Sequence, residues 1–353
     1  VIVGFGIYNR PSQEERERAQ HYQDSIQQVL QEQEQTKMMQ EVAAQQTIEY
    51  DSASLFYSAS KGKEVFTTLE NDVVQLVLTN KGGRVYKATL KDYNDQQHQP
   101  LVLFDGTDAS LSFGFEGKNE NIRTEQLFFE PVNVTDSTVT MRLNAQNGGH
   151  LDFNYRLIPN SYIVDMSVQA VGMENFFSPS VKNMSIDWKQ RARQMEKGYT
   201  FEQRYTSLTY KPVNDSFDYL SETKDEKETI PATLDWVAFK NQYFSCVFMA
   251  EKSFENATLE SKMEQQGSGY MKNYAADMQS FFDPTGGQPS HFQFYFGPNH
   301  FKTLLASNDL SFKDKDQELE DLVYLGWPII RLINRWFTIN LFDWLSSMGL
   351  SMG

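Results

Sequence analysis

One cysteine, Cys246, stands in a chain of 353 residues. It has no partner for an internal disulfide and cannot build a multi-cysteine zinc site. Its setting, YFSCVFMA, is that of a small buried hydrophobe rather than a reactive thiol. Basic residues are outnumbered: 32 Lys and Arg against 47 Asp and Glu leave a net charge of −15. Phosphate backbones repel such a chain, and no Lys/Arg block with interleaved aromatics offsets this, so nucleic acid is excluded as a partner class. The common catalytic signatures are missing too. There is no G-x-G-x-x-G, Walker loop, H-E-x-x-H or G-x-S-x-G, and nothing calls for a cofactor. The five histidines are scattered. The closest pair, His291 and His300, flanks a Gly-Pro turn with no acidic residue at ligand spacing.

What is present leans toward β structure. Mean hydropathy is −0.55, as in a mostly soluble chain, yet 14% of residues are aromatic, with 26 Phe and 17 Tyr. Aromatic side chains suit a pleated, half-buried surface. Hydrophobicity alternates with period two beyond about residue 51. Residues 73–79, the turn NKGG and residues 84–90 read as a hairpin. A second hairpin is TVTMRLNA, NGG and HLDFNYRL, followed through PNS by YIVDMSVQA. Further strands are expected around 184–189, 199–210, 236–250 and 291–296, and a short helix over 299–307. The series fits one large β-sandwich rather than βαβ units.

Both ends differ from this middle. The opening VIVGFGIYNRP holds an apolar run of about eight residues, where a spanning helix needs about twenty. It reads as the tail of a transmembrane helix whose start is cut away, covering 1–10. Residues 11–50 are Gln/Glu-rich with little apolar surface, a helical or disordered linker. The sandwich is assigned to 51–312. The acidic run Asp314, Asp316, Glu318, Glu320, Asp321 lacks the glycine of an EF-hand loop. With Lys313 and Lys315 it reads as an exposed, salt-bridged start of a helix.

The terminal block is the strongest signal. On a helical projection Arg331, Asn334, Arg335 and Thr338 form one narrow stripe, while Ile329, Ile330, Leu332, Ile333, Trp336, Phe337 and Ile339 cover the rest. Trp327, Trp336 and Trp344 have rings suited to the lipid headgroup level. Residues 313–345 are therefore expected to be a charged connector and an interfacial amphipathic helix. Its membrane-facing residues are Trp327, Ile330, Ile333, Trp336, Phe337 and Trp344, with Arg331 and Arg335 turned to water and phosphate. The alternative is a core helix docked on the sandwich. Residues 346–353 would start the next spanning helix.

DWVAFKNQYFSCVFMA (235–250), FYFGPNHFKTL (294–304) and the block from Leu325 to the end resemble the YidC family of membrane protein insertases. NDVVQLVLTNKGGRVYKATLKDY (71–93) is similar to that family's first periplasmic hairpin. The resemblance implies the inner membrane of a Gram-negative cell and a mostly periplasmic domain folded as a galactose-mutarotase-like β-supersandwich. It also implies an insertase and chaperone without enzymatic activity, with the lipid bilayer, the Sec translocon, SecDF and nascent inner-membrane proteins as partners. The family's insertase groove belongs to helices beyond residue 349, so none of its residues carries over, and Arg331 and Arg335 are not its charge. The runner-up is a sugar-binding or sugar-epimerising sandwich. That chemistry needs a histidine facing a carboxylate, with His98, His150 and His291 as candidates.

Overall fold

The computed structural model describes residues 50–95, 98–313 and 315–323. In chain order, β1 (Phe66–Glu70), β2 (Val74–Thr79), β3 (Arg84–Asn94) and β4 (Pro100–Asp105) form a four-stranded antiparallel sheet. Its central hairpin is the expected one, with Val74 opposite Leu90 and Thr79 opposite Arg84. Gly82 and Gly83 take φ of 85° and 62° at its turn, a conformation that side chains with a Cβ disfavour.

The other fourteen strands among the described residues form one antiparallel sheet. They are β5 (Ala109–Glu116), β6 (Asn121–Arg123), β7 (Glu130–Val132), β8 (Thr138–Asn144), β9 (His150–Leu157), β10 (Ile163–Val171), β11 (Asn183–Arg193), β12 (Ser207–Pro212), β13 (Asp218–Tyr219), β14 (Glu226–Thr229), β15 (Leu234–Lys240), β16 (Phe244–Met263), β17 (Tyr270–Phe281) and β18 (Ser290–Pro298). The main path runs β6-β5-β11-β17-β16-β18-β10-β9-β8-β7, and β15, β12, β13 and β14 branch from β16. Among the described residues two short α-helices, α1 (Tyr199–Gln203) and α2 (Phe301–Asn308), accompany it.

This sheet folds over on itself. β5 and β9 are six places apart in the order, yet the rings of Phe113 and Phe153 lie 5.1 Å apart, and Phe115 and Phe153 lie 6.4 Å apart. Alternating residues of the two halves therefore share one core, as in a β-sandwich. The small sheet closes against it: the Phe104 and Phe296 rings are 5.7 Å apart, and Tyr155 Oη donates to Gly83 O at 2.9 Å. Cys246 lies in this core, where burial pushes its thiol pKa up.

Three expectations need correction. Residues 236–250 are not one strand but parts of two, β15 and β16, which turn back at 241–243 and pair antiparallel. Residues 199–210 are not one strand, since α1 precedes β12. Glu202 is buried and its carboxylate accepts the backbone N–H groups of Met195 and Glu196, which fixes a helical turn there. The charged run after 313 is not an exposed start of a helix. Residues Leu319–Leu322 form a 3-10 turn, with Gln317 and Glu320 buried. The segments assigned to 1–10 and 346–353, and the linker up to 49, lie outside the described residues.

Candidate functional site

A histidine-carboxylate site has little support in the geometry. His150 Nε2 lies 3.6 Å from Asp152 Oδ2, but both oxygens of Asp152 accept from Arg142, at 2.8 Å each. His291 is exposed on β18, opposite Ser167, which is itself opposite Asn154 of β9; His150 lies four residues from that row. His98 is exposed in the turn before β4, at φ 59°. The register thus separates His150 from His291, and the cleft lined by Ser112, Ser185 and Asp277 has no histidine in its lining. Among the described residues, no group of three or more His, Cys, Asp or Glu is placed to hold a metal ion.

One buried charge cluster is structural in character. Lys272 is fully buried and its Nζ donates to Ser221 O at 2.9 Å. Burial brings its pKa down to about 8, lowers that of Lys240 and raises that of Glu222. The ammonium ties the loop before β14 to the sheet.

The more informative feature is on the outer face of β10, β15, β16 and β18. Leu234, Val237 and Phe239 of β15 and Cys246, Phe248 and Ala250 of β16 point into the main core. Their alternates Trp236, Ala238, Val247 and Met249 do not meet water. With Ile163 and Tyr295 they form a second apolar cluster, completed by Leu304 of α2 and by Leu319 and Leu322. A strand covered on both faces reads as a continuous apolar run, which is what DWVAF and FSCVFMA are. The cover is the segment leaving the sandwich.

Polar contacts lock that cover in place. Trp236 Nε1 donates to Gln317 O at 2.7 Å. Lys315 Nζ donates to Asp235 Oδ1 at 2.5 Å, to Ala250 O at 2.9 Å and to Ser253 Oγ at 2.8 Å. Lys211 Nζ, in β12, meets Glu318 Oε2 at 2.9 Å, and Glu318 holds a left-handed φ of 49°. Asn308 Nδ2, at the end of α2, donates to Glu320 Oε2 at 2.6 Å. Gln293 Nε2 donates to Leu310 O at 3.1 Å. The chain is thereby fixed to the sandwich as far as residue 323. Sequence reasoning did not find this anchor, because Lys315 and Glu318 look like solvated charges in a mixed-charge run. Trp327, Ile330, Arg331, Ile333, Arg335, Trp336, Phe337 and Trp344 lie outside the described residues.

The model of the YidC periplasmic domain family matches residues 67–342. The chain belongs to the YidC family. It is 63% identical, over its whole length, to a membrane protein insertase YidC of Phocaeicola vulgatus, and covers 57% of that protein. A second YidC, from Parabacteroides distasonis, is 38% identical across 98% of this chain, which covers 57% of it. The chain thus spans little more than half the length of these curated relatives. Among solved structures, a galactose mutarotase-like protein from Lactobacillus casei aligns with 66% of this YidC-family chain and 100% of its own, at 10% identity and a TM-score of 0.44. That likeness transfers no chemistry. Among the described residues no helix is long and apolar enough to cross a membrane.

Proposed function

We propose that this chain is the periplasmic portion of a YidC-type insertase and chaperone of the inner membrane, a non-catalytic module that positions the insertase at the bilayer. Residues 51–312 form the sandwich, 313–345 a connector and interfacial helix, and the ends belong to membrane-spanning helices of a multi-pass protein. Nascent inner-membrane proteins are its clients, with and without the Sec translocon and SecDF. The observation that carries this reading is the anchor: Lys315, Gln317, Leu319 and Leu322 fix the chain to the outer face of the sheet just before the apolar block. A floppy tether would not need it. A rigid exit sets the height and tilt of the sandwich over a helix lying in the headgroup region, with Arg331 and Arg335 directed to water and phosphate.

The test is liposome co-sedimentation of the chain before and after the double change Ile333→Asp and Phe337→Asp. Each charge replaces a large apolar side chain whose burial contributes roughly 1.5–3 kcal/mol, so binding should fall steeply. Equal binding by both versions would refute the interfacial assignment.

A further inference from the structure

A cleft of about 170 Å³ opens on the solvent-facing side of β5, β11 and β17. Two cross-strand rows build it. In one, Ser112 stands opposite Asp187, which stands opposite Asp277. In the other, Arg123, Gly114, Ser185 and Gln279 succeed one another across β6, β5, β11 and β17. Gly114 keeps the floor open, since a Cβ there would stand 2.2 Å from Ser185 Oγ.

The cleft is short of donors. Two carboxylates directly opposite each other on a sheet repel, and what compensates them is one-sided. Lys189 Nζ lies 3.2 Å from Asp187 Oδ2. Arg123 Nη2 is 3.9 Å from the same oxygen, while its Nε is committed to Glu125 at 2.9 Å. Asp277 is exposed and makes no ion pair among the described residues; its side chain hydrogen-bonds that of Asp187, and partial desolvation together with Asp187 raises its pKa, against the weaker pull of Lys189 and Lys227. Ser112 supplies a separate observation. It is 8% exposed, lines the cleft, and its hydroxyl has no hydrogen-bond partner among the described residues.

We propose that this cleft is a receptor for one guanidinium group, the arginine side chain of a partner polypeptide. A planar fork of five N–H donors can engage two facing carboxylates and a hydroxyl at once, which a compact, strongly hydrated ammonium does less well. A sugar ring would seek an aromatic platform, and the lining has none. The net charge of −15 draws cationic segments toward the surface. Binding needs both carboxylates ionised, so affinity falls as pH drops through the raised pKa of Asp277. The charged groups facing it are Asp187 and Lys189 of β11, Arg123 of β6 and Lys227 of β14.

Titration calorimetry of the full chain tests this with three probes: a Gly-Arg-Gly peptide, its citrulline analogue and agmatine. The arginine peptide should bind saturably and the neutral citrulline peptide should not. Asp277→Asn should weaken binding about tenfold or more, the loss expected for one charge-assisted hydrogen bond, and Ser112→Ala by a smaller factor. Glu228→Gln, an exposed acid on β14 outside the cleft, should change nothing. Agmatine binding as tightly as the peptide would keep the guanidinium receptor but reassign its ligand to a small molecule. No saturable binding, equal binding of the citrulline peptide, or equal losses in Asp277→Asn and Glu228→Gln would overturn the proposal.

Discussion

Replacing Lys315 by Met removes the ammonium that three acceptors share: Asp235 Oδ1 at 2.5 Å, Ala250 O at 2.9 Å and Ser253 Oγ at 2.8 Å. Asp235 is 6% exposed. After the change the Ser253 hydroxyl, at 3.0 Å, is the side-chain hydrogen bond that its carboxylate keeps among the described residues. Breaking a buried pair from one side costs roughly 3–5 kcal/mol. The Lys315 side chain is 19% exposed, so water can reach part of the site, and a loss of about 3 kcal/mol is expected. Adding Asp235→Asn removes the stranded charge, so the double variant should recover a good part of that loss, with a coupling of roughly 1–2 kcal/mol. Urea unfolding gives the energies, and amide exchange across 309–323 shows whether the segment lifts off. A loss below about 1 kcal/mol, the range of an exposed pair, with exchange unchanged at 315–323, would refute the claim that this ion pair holds the connector.

Three further outcomes follow from the same packing. Leu319→Ala deletes a fully buried side chain of the outer cluster and should cost about 2–4 kcal/mol in urea unfolding, with faster amide exchange concentrated in 309–323 rather than in β5 to β9. Lys272 titrates at about 8 in the folded protein, against an ordinary value of 10.5. The unfolded chain therefore binds more protons between these values, so stability should rise with pH across that window by on the order of 3 kcal/mol relative to Lys272→Met; parallel pH profiles would contradict this. Gly83→Ala places a Cβ 2.6 Å from the Phe129 ring at φ +62°, whereas Gly148→Ala meets nothing within 4 Å at φ +86°. Both should destabilise by about 1 kcal/mol for backbone strain, and Gly83→Ala by about 1–3 kcal/mol more for overpacking, measured by thermal unfolding.

Strands with an apolar inner face were legible from alternation alone. β2, β3, β8, β9, β10 and β18 stand where period two put them, and α2 follows the Gly-Pro turn as expected. β17 was hidden, because its inward set is Lys272, Tyr274, Ala276, Met278 and Ser280, and a lysine and a serine at the ends break the apolar half of the pattern. The lysine is tolerated because Ser221 O accepts from it. β4 and β5 were not singled out either. α1 was misread because Tyr199, Phe201 and Tyr205 carry strong strand propensity, which the buried Glu202 overrides by capping N–H groups upstream. The outer-face anchor was half visible. The unbroken apolar runs around Trp236 and Val247 required a cover, but nothing local in KDKDQELEDL says that Lys315 turns inward, since its three acceptors are at least 62 residues away.

On the proposed function, the anchor joins the sandwich and the proposed membrane-facing segment into one mechanical unit. Cys246 is fully buried, so a cysteine introduced at Lys224, whose side chain is 71% exposed, can be labelled alone with a donor dye. Single-molecule energy transfer to acceptor dyes on lipid headgroups then reports the height of the sandwich over a supported bilayer. A single narrow height distribution is expected for the otherwise unaltered chain, and a broad one once Lys315→Met and Leu319→Ala release the connector while the sandwich itself stays folded. Identical distributions before and after that release would contradict that coupling.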